Sequence, residues 1–142
     1  MRRLTYVGIG LVMLIWVVLA GCGGDDDDKN DANVTGTVRG TIQDSIAGTG
    51  TITMTLAQDD SDLIGTYQTT FADPRNNSAG SVEGEVHGNA VTLTATPSVT
   101  PLVPTACPFN VTAIVNGDQI NGTYAAFNCT VVVSGSLTLT RQ

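Results

Sequence analysis

Val82-Glu83-Gly84-Glu85-Val86-His87-Gly88-Asn89-Ala90-Val91-Thr92-Leu93-Thr94-Ala95 carries the plainest structural signal in the chain. Apolar and polar residues alternate on both sides of Gly88-Asn89, the period of two that belongs to strands with one buried face. A two-residue turn at Gly88-Asn89, of the primed kind whose twist suits hairpin strands, pairs Val86 with Val91, Gly84 with Leu93 and Val82 with Ala95. Glu85 then meets Thr92, and Glu83 meets Thr94, on the opposite face. A one-residue slip would turn the valines to water, so turn chemistry and face pattern fix one register between them.

The same alternation runs outward in both directions. Val34, Gly36, Val38, Gly40 and Ile42 alternate with Thr35, Thr37, Arg39, Thr41 and Gln43, and Ile52, Met54 and Leu56 with Thr51, Thr53 and Thr55. Leu63, Gly65, Tyr67, Thr69 and Phe71 share a face, as do Val131, Val133, Gly135, Leu137 and Leu139. A second hairpin is expected to turn at Asn116-Gly117, setting Phe109 beside Tyr124 and Val111 beside Gly122. No segment after residue 33 reads as an amphipathic helix. Eight strands follow, near 34–43, 50–57, 62–71, 81–87, 90–96, 108–115, 119–127 and 130–140. The expected class is all-β, an eight-stranded antiparallel up-and-down β-barrel, because closing the meander removes the exposed edges. A two-sheet β-sandwich of the same strands has the same periodicity and stands as the alternative.

The amino terminus differs in kind. Met1-Arg2-Arg3 is a positive start, Leu4 to Ala20 is apolar, and the run ends in Leu19-Ala20-Gly21-Cys22. This ending resembles the lipobox of bacterial lipoproteins, and the resemblance implies a signal peptide over 1–21, cleaved before Cys22, whose thiol carries diacylglycerol. Two or three acyl chains on Cys22 would hold the chain at a membrane durably, which one chain does not do. Gly23 and Gly24 follow the cysteine where inner-membrane retention uses aspartate, so the resemblance implies the outer membrane in a source with two membranes. Residues 22–33, with Asp25-Asp26-Asp27-Asp28, hold nothing that builds a core and read as an extended acidic tether to the β domain of 34–142.

Composition narrows the function. Thirteen acidic side chains stand against six basic ones, a formal net charge of −7, and two of the basic ones, Arg2 and Arg3, leave with the signal. A chain this acidic lacks the clustered cations that nucleic acid requires, so no nucleic-acid partner is expected. His87 shares a predicted face with Glu83 and Glu85, but same-face neighbours nearly 7 Å apart along one strand converge poorly on an ion. No nucleophile motif accompanies His87, and the expectation is a non-enzymatic protein without metal or cofactor.

Once Cys22 is lipidated, Cys107 and Cys129 remain and pair as expected of an exported protein. Both fall at one end of strands that are two places apart, about 9.6 Å in regular ladders, which is too far for a disulfide. Pro108 cannot donate to a ladder, so Cys107 is expected in irregular chain that folds over.

Two long loops, 72–79 and 97–108, each follow an odd-numbered strand and so rim the same barrel end. Tyr67, Phe71, Phe109 and Tyr124 point inward near that end and are the candidate lining of a ligand pocket. The inward glycines, among them Gly36, Gly88 and Gly135, either leave room for a ligand or relieve strand coiling in a tightly curved barrel. Leu63-Ile64-Gly65-Thr66-Tyr67 resembles the Gly-Thr-Tyr strand of avidin-type barrels, and Asn121-Gly122-Thr123-Tyr124 echoes it. The likeness implies a barrel; avidins hold biotin with tryptophans, and the one tryptophan here, Trp16, lies in the signal. The expectation is a lipid-anchored envelope protein that binds a small apolar ligand or an envelope protein at the loop-rimmed end. The alternative is a structural or surface-coat lipoprotein with a filled barrel.

Overall fold

The computed structural model describes residues 30–98 and 107–142. The signal segment 1–21, Cys22 and the acidic run therefore lie outside the described residues, as does most of the 97–108 loop. Eight antiparallel strands close into one barrel in the order β1-β2-β3-β4-β5-β6-β7-β8, with β1 also pairing β8. The strands are β1 Gly36–Asp44, β2 Gly48–Asp59, β3 Asp62–Phe71, β4 Ser78–His87, β5 Ala90–Pro97, β6 Phe109–Asn116, β7 Gln119–Ala126 and β8 Ser134–Arg141. Every neighbour in the ring is also a neighbour in sequence except the closing pair, so the topology is a simple meander and the sandwich is ruled out.

Period-two patterning produces the two faces. Val38, Ile42, Met54, Leu63, Val82, Val86, Leu93, Val111, Ile120 and Leu139 are all buried, each at an alternate position on its strand. Burying an aliphatic side chain of this size contributes about 1.5–3 kcal/mol, so the barrel interior is the source of stability. The outward positions are mostly Thr, Ser, Asn, Gln and charged residues, with Ile64 and Ile114 the large apolar exceptions on the strands. That arrangement, apolar inside and polar outside, is the inverse of a lipid-facing barrel.

The Val82–Ala95 hairpin pairs as its sequence dictates: Val86↔Val91, Gly84↔Leu93 and Val82↔Ala95, across Gly88-Asn89. The β6–β7 hairpin does not. It turns at Gly117-Asp118, with Asn116 opposite Gln119, so Phe109 pairs Ala126, Val111 pairs Tyr124 and Ala113 pairs Gly122. Gly88 and Gly117 each have φ of 61°, and neither Asn89 nor Asn116 has positive φ. A turn with glycine at its first central position needs only one left-handed residue, whereas an Asn-Gly turn of the other primed type would need two. The chain takes the first solution, and the slip of two residues keeps every side chain on its own face.

The second departure is at β8, which starts at Ser134 rather than residue 130. Val131 is 54% exposed, not inward, and Val132 is 84% exposed; Val133 packs against the core.

Inward glycines mark where neighbouring backbones close in. A Cβ added to Gly135 would sit 2.1 Å from the Gln43 carbonyl oxygen and 2.5 Å from the Tyr124 hydroxyl oxygen. Strand coiling, not ligand room, is what glycine supplies here, and no glycine lines the cavity described below. Gly88 is exposed in its turn rather than inward, and Gly36, with φ of 122°, has open space where a Cβ would be.

The two barrel ends are unlike. Tight turns connect β2–β3, β4–β5 and β6–β7 at one end, which the amino-terminal segment crosses. The Ala32 N–H donates to the Gly88 carbonyl at 2.7 Å, the Gly88 N–H to Asp31 Oδ1 at 2.6 Å and the Val34 N–H to Gln58 Oε1 at 2.9 Å. Val34 is fully buried there and plugs the end. Among the described residues, contacts with the barrel thus begin at Asp31, so the last three residues of the stretch read as tether, 31–33, already touch it.

Candidate functional site

Among the described residues nothing closes the opposite end, and it is the end the longer connections reach. The β1–β2 turn, the β3–β4 connection with its short 3-10 helix at Pro74–Asn76, and the β7–β8 connection all arrive there, together with the two ends of the β5–β6 loop. Cys107 and Cys129 form a disulfide across this rim with Cα atoms 5.9 Å apart. Neither residue belongs to a strand, which is how the pair escapes the spacing that two regular ladders would impose.

Inside the rim is a cavity of about 290 Å³. This is close to the lower bound of small-molecule sites and room for roughly ten waters at ~30 Å³ each. Its floor is apolar, with Ile52, Met54, Val111 and Leu137. Tyr67, Phe71, Phe109 and Tyr124 all line it, so the four side chains singled out from the sequence come together. Phe109 and Tyr124 meet edge to face, ring centroids 5.8 Å apart at 79°. They are diagonal neighbours across β6 and β7, a separation that aromatic side chains bridge.

The two Gly-Thr-Tyr triplets explain the placement of the tyrosines. Gly65-Thr66-Tyr67 lies on β3 and Gly122-Thr123-Tyr124 on β7, four strands away in a ring of eight, so the two phenols come from opposite walls. Each glycine allows a close backbone approach, each threonine faces water, and each tyrosine turns in. The hydroxyls have different partners. Tyr67 Oη shares a hydrogen bond of 2.8 Å with Ser78 Oγ on β4. Tyr124 donates to Asp44 Oδ2 at 2.5 Å, reaching past β8 to the end of β1.

Asp44 and Ser78 are the site residues the sequence reasoning missed. Asp44 Oδ1 also accepts from the Ile46 and Ala47 N–H groups, both at 2.8 Å, so one carboxylate ties the β1–β2 turn to β7. Ser78 is held from Thr69, whose hydroxyl donates to the Ser78 carbonyl at 3.2 Å and accepts from its N–H at 3.1 Å. Parity carried the signal in both cases. Asp44 continues the inward series Val38, Gly40, Ile42, and Ser78 the series Val82, Gly80, once β4 is extended to its observed start.

Burial pushes the Tyr67 phenol above its ordinary pKa, against a smaller opposing pull from the Ser78 hydrogen bond. Tyr124 is pushed up further, first by burial and then by the hydrogen bond and charge of Asp44. Both phenols stay protonated at neutral pH and so carry a hydroxyl hydrogen each.

His87 and Glu85 form an exposed pair, Nε2 to Oε2 2.9 Å, on the far end of the barrel from the cavity. No group of three His, Cys, Asp or Glu side chains among the described residues could hold a metal ion. Two larger depressions, of about 450 and 480 Å³, lie on the outer wall between outward side chains such as Thr55 and Thr66. They are more open to solvent than the cavity and bring no phenol–carboxylate pair together.

No protein-family model, curated protein or solved structure matches the chain.

Proposed function

We propose that this protein is a lipid-anchored bacterial envelope lipoprotein, fastened through Cys22, whose barrel takes up a small apolar molecule through its open end without transforming it. The observation that carries the ligand-binding part is the cavity of about 290 Å³, with an apolar floor and a few hydrogen-bonding groups at fixed positions near the rim. Apolar walls supply affinity by removing ligand surface from water, and the sparse polar groups supply orientation. The lower part of the barrel is filled by Val34, Leu63, Val86 and Leu139, each no more than 2% exposed, so the ligand occupies the upper half only. Support for the anchor comes from the lipobox-like Leu19-Ala20-Gly21-Cys22 and the polar tether after it.

One preparation tests both parts. The protein is extracted gently from its own membrane and weighed intact by native mass spectrometry. A polypeptide beginning at Cys22 with added acyl mass, carrying a further small molecule that leaves on collisional activation, is the expected result. An unmodified Met1 start overturns the anchor. A mature chain with no retained molecule, and with no uptake of the neutral dye N-phenyl-1-naphthylamine, overturns the binding role in favour of a structural barrel.

A further inference from the structure

We propose that the cavity selects apolar molecules bearing one hydrogen-bond-donating head, an ammonium or a hydroxyl, and rejects those headed by a carboxylate or phosphate. The inference rests on reading the cavity as a ligand site and adds the chemistry of the head group.

Unused hydrogen-bonding capacity sets the chemistry of the head group. A carboxylate has about four lone-pair positions. Asp44 uses three, for the Ile46 and Ala47 N–H groups and the Tyr124 hydroxyl, which leaves Oδ2 able to accept once more. Tyr124 has one hydroxyl hydrogen, and it is engaged with Asp44, so its oxygen can only accept. Thr69 is engaged as donor and as acceptor with the Ser78 backbone. Tyr67 and Ser78 share one hydrogen between two oxygens, leaving a single hydroxyl hydrogen to donate and lone pairs to accept, and the exposed Asn76 amide at the rim can donate or accept. At the Asp44–Tyr124 wall, therefore, what a ligand meets is acceptors beside a negative charge.

Charge points the same way. Among the described residues, Asp44 is the only ionisable carboxylate on the lining, and no Lys, Arg or His joins it there. The nearest basic side chain along the rim, Arg75, is already bound to Asp73 at 2.8 Å. Arg141 lies at the shut end, donating to the Asn33 carbonyl, and Arg39 points outward from β1. An anionic head entering this cavity gives up water and finds like charge, whereas a cation finds a partner and the field of an acidic protein.

The test uses the mature chain from residue 22 carrying Cys22→Ser, with three probes that share one ring system: 1-naphthylmethylamine, 1-naphthalenemethanol and 1-naphthoate. Binding is followed by probe fluorescence at neutral pH. The amine and the alcohol are expected to bind at least about 30-fold more tightly than the carboxylate, as like-charge repulsion near a half-buried carboxylate requires. The amine, unlike the alcohol, weakens as salt is raised. Asp44→Asn brings amine and carboxylate within about threefold. Should that variant fail to fold, the salt dependence of the unaltered protein carries the same information. Equal affinity for all three probes, or preference for the carboxylate, overturns the head-group selection and leaves the cavity as a binding site. No binding by any of the three overturns the ligand-site reading beneath it.

Discussion

Replacing both Cys107 and Cys129 by serine should cost stability without costing the barrel. The bond joins residues 22 apart in sequence. Closing a loop of that length removes about 11 cal/mol/K from the unfolded chain, equivalent to about 3.4 kcal/mol at 25 °C. For a domain of this size, unfolding entropy of roughly 2.1 cal/mol/K per residue converts that loss into a fall in Tm of about 15 °C. The native ladders stay intact, because the disulfide sits in the rim while β6, β7 and β8 pair through their own backbones and β8 closes on β1. Urea unfolding followed by far-ultraviolet circular dichroism is the assay, on the double-serine mature chain against the oxidised one. The expected signature is a lower midpoint with the native spectrum and the affinity for a neutral probe unchanged at low temperature. A loss below about 1 kcal/mol would refute the chain-entropy argument. A lost native spectrum in water would refute the claim that the strands specify the ring by themselves.

Gly135→Ala should destabilise by about 3 kcal/mol, since the new methyl meets the Gln43 carbonyl oxygen and displaces the Tyr124 hydroxyl from Asp44; the urea midpoint reads it. Val34→Ala leaves a void under a fully buried position and should cost about 2 kcal/mol by the same measurement. The two tyrosines of the barrel, Tyr67 and Tyr124, both have raised pKa values. Tyrosinate absorbance of Tyr67 and Tyr124 in the folded protein should therefore rise at higher pH than that of free tyrosine, which is half ionised near pH 10. In the same range the unfolded chain loses protons that the folded chain keeps, so stability is level below about pH 10 and falls above it. Tyrosinate absorbance appearing with the midpoint of free tyrosine would show the phenols to be solvated.

The strands were legible because alternation is a property of the chain itself, and so was the site's parity: inward Tyr67, Phe71, Phe109 and Tyr124 needed only the correct face. Register was harder. At Gly88-Asn89, apolar faces and turn residues agree on one solution. At Asn116-Gly117-Asp118, two turns one residue apart give registers that differ by two and preserve both faces, and only the number of left-handed residues decides between them. Parity cannot see a slip of two. Val131 misled for a related reason, because Val131-Val132-Val133 carries strand propensity but no alternation, and the disulfide at Cys129 holds the preceding chain out of the ladder. Asp44 was hidden by its type, a carboxylate continuing an apolar series, and its sense emerges only when Tyr124 arrives from two strands around the ring.

Because the amino-terminal strap crosses the shut end, any tension on residues before Asp31 enters the fold as far from the rim as the barrel permits. The load falls on the reciprocal link of Asp31 and Ala32 to Gly88 and on the Val34 plug, while the disulfide-braced mouth at the opposite pole carries none of it directly. Tugging on the leash strains the base of the cup and leaves its lip undisturbed.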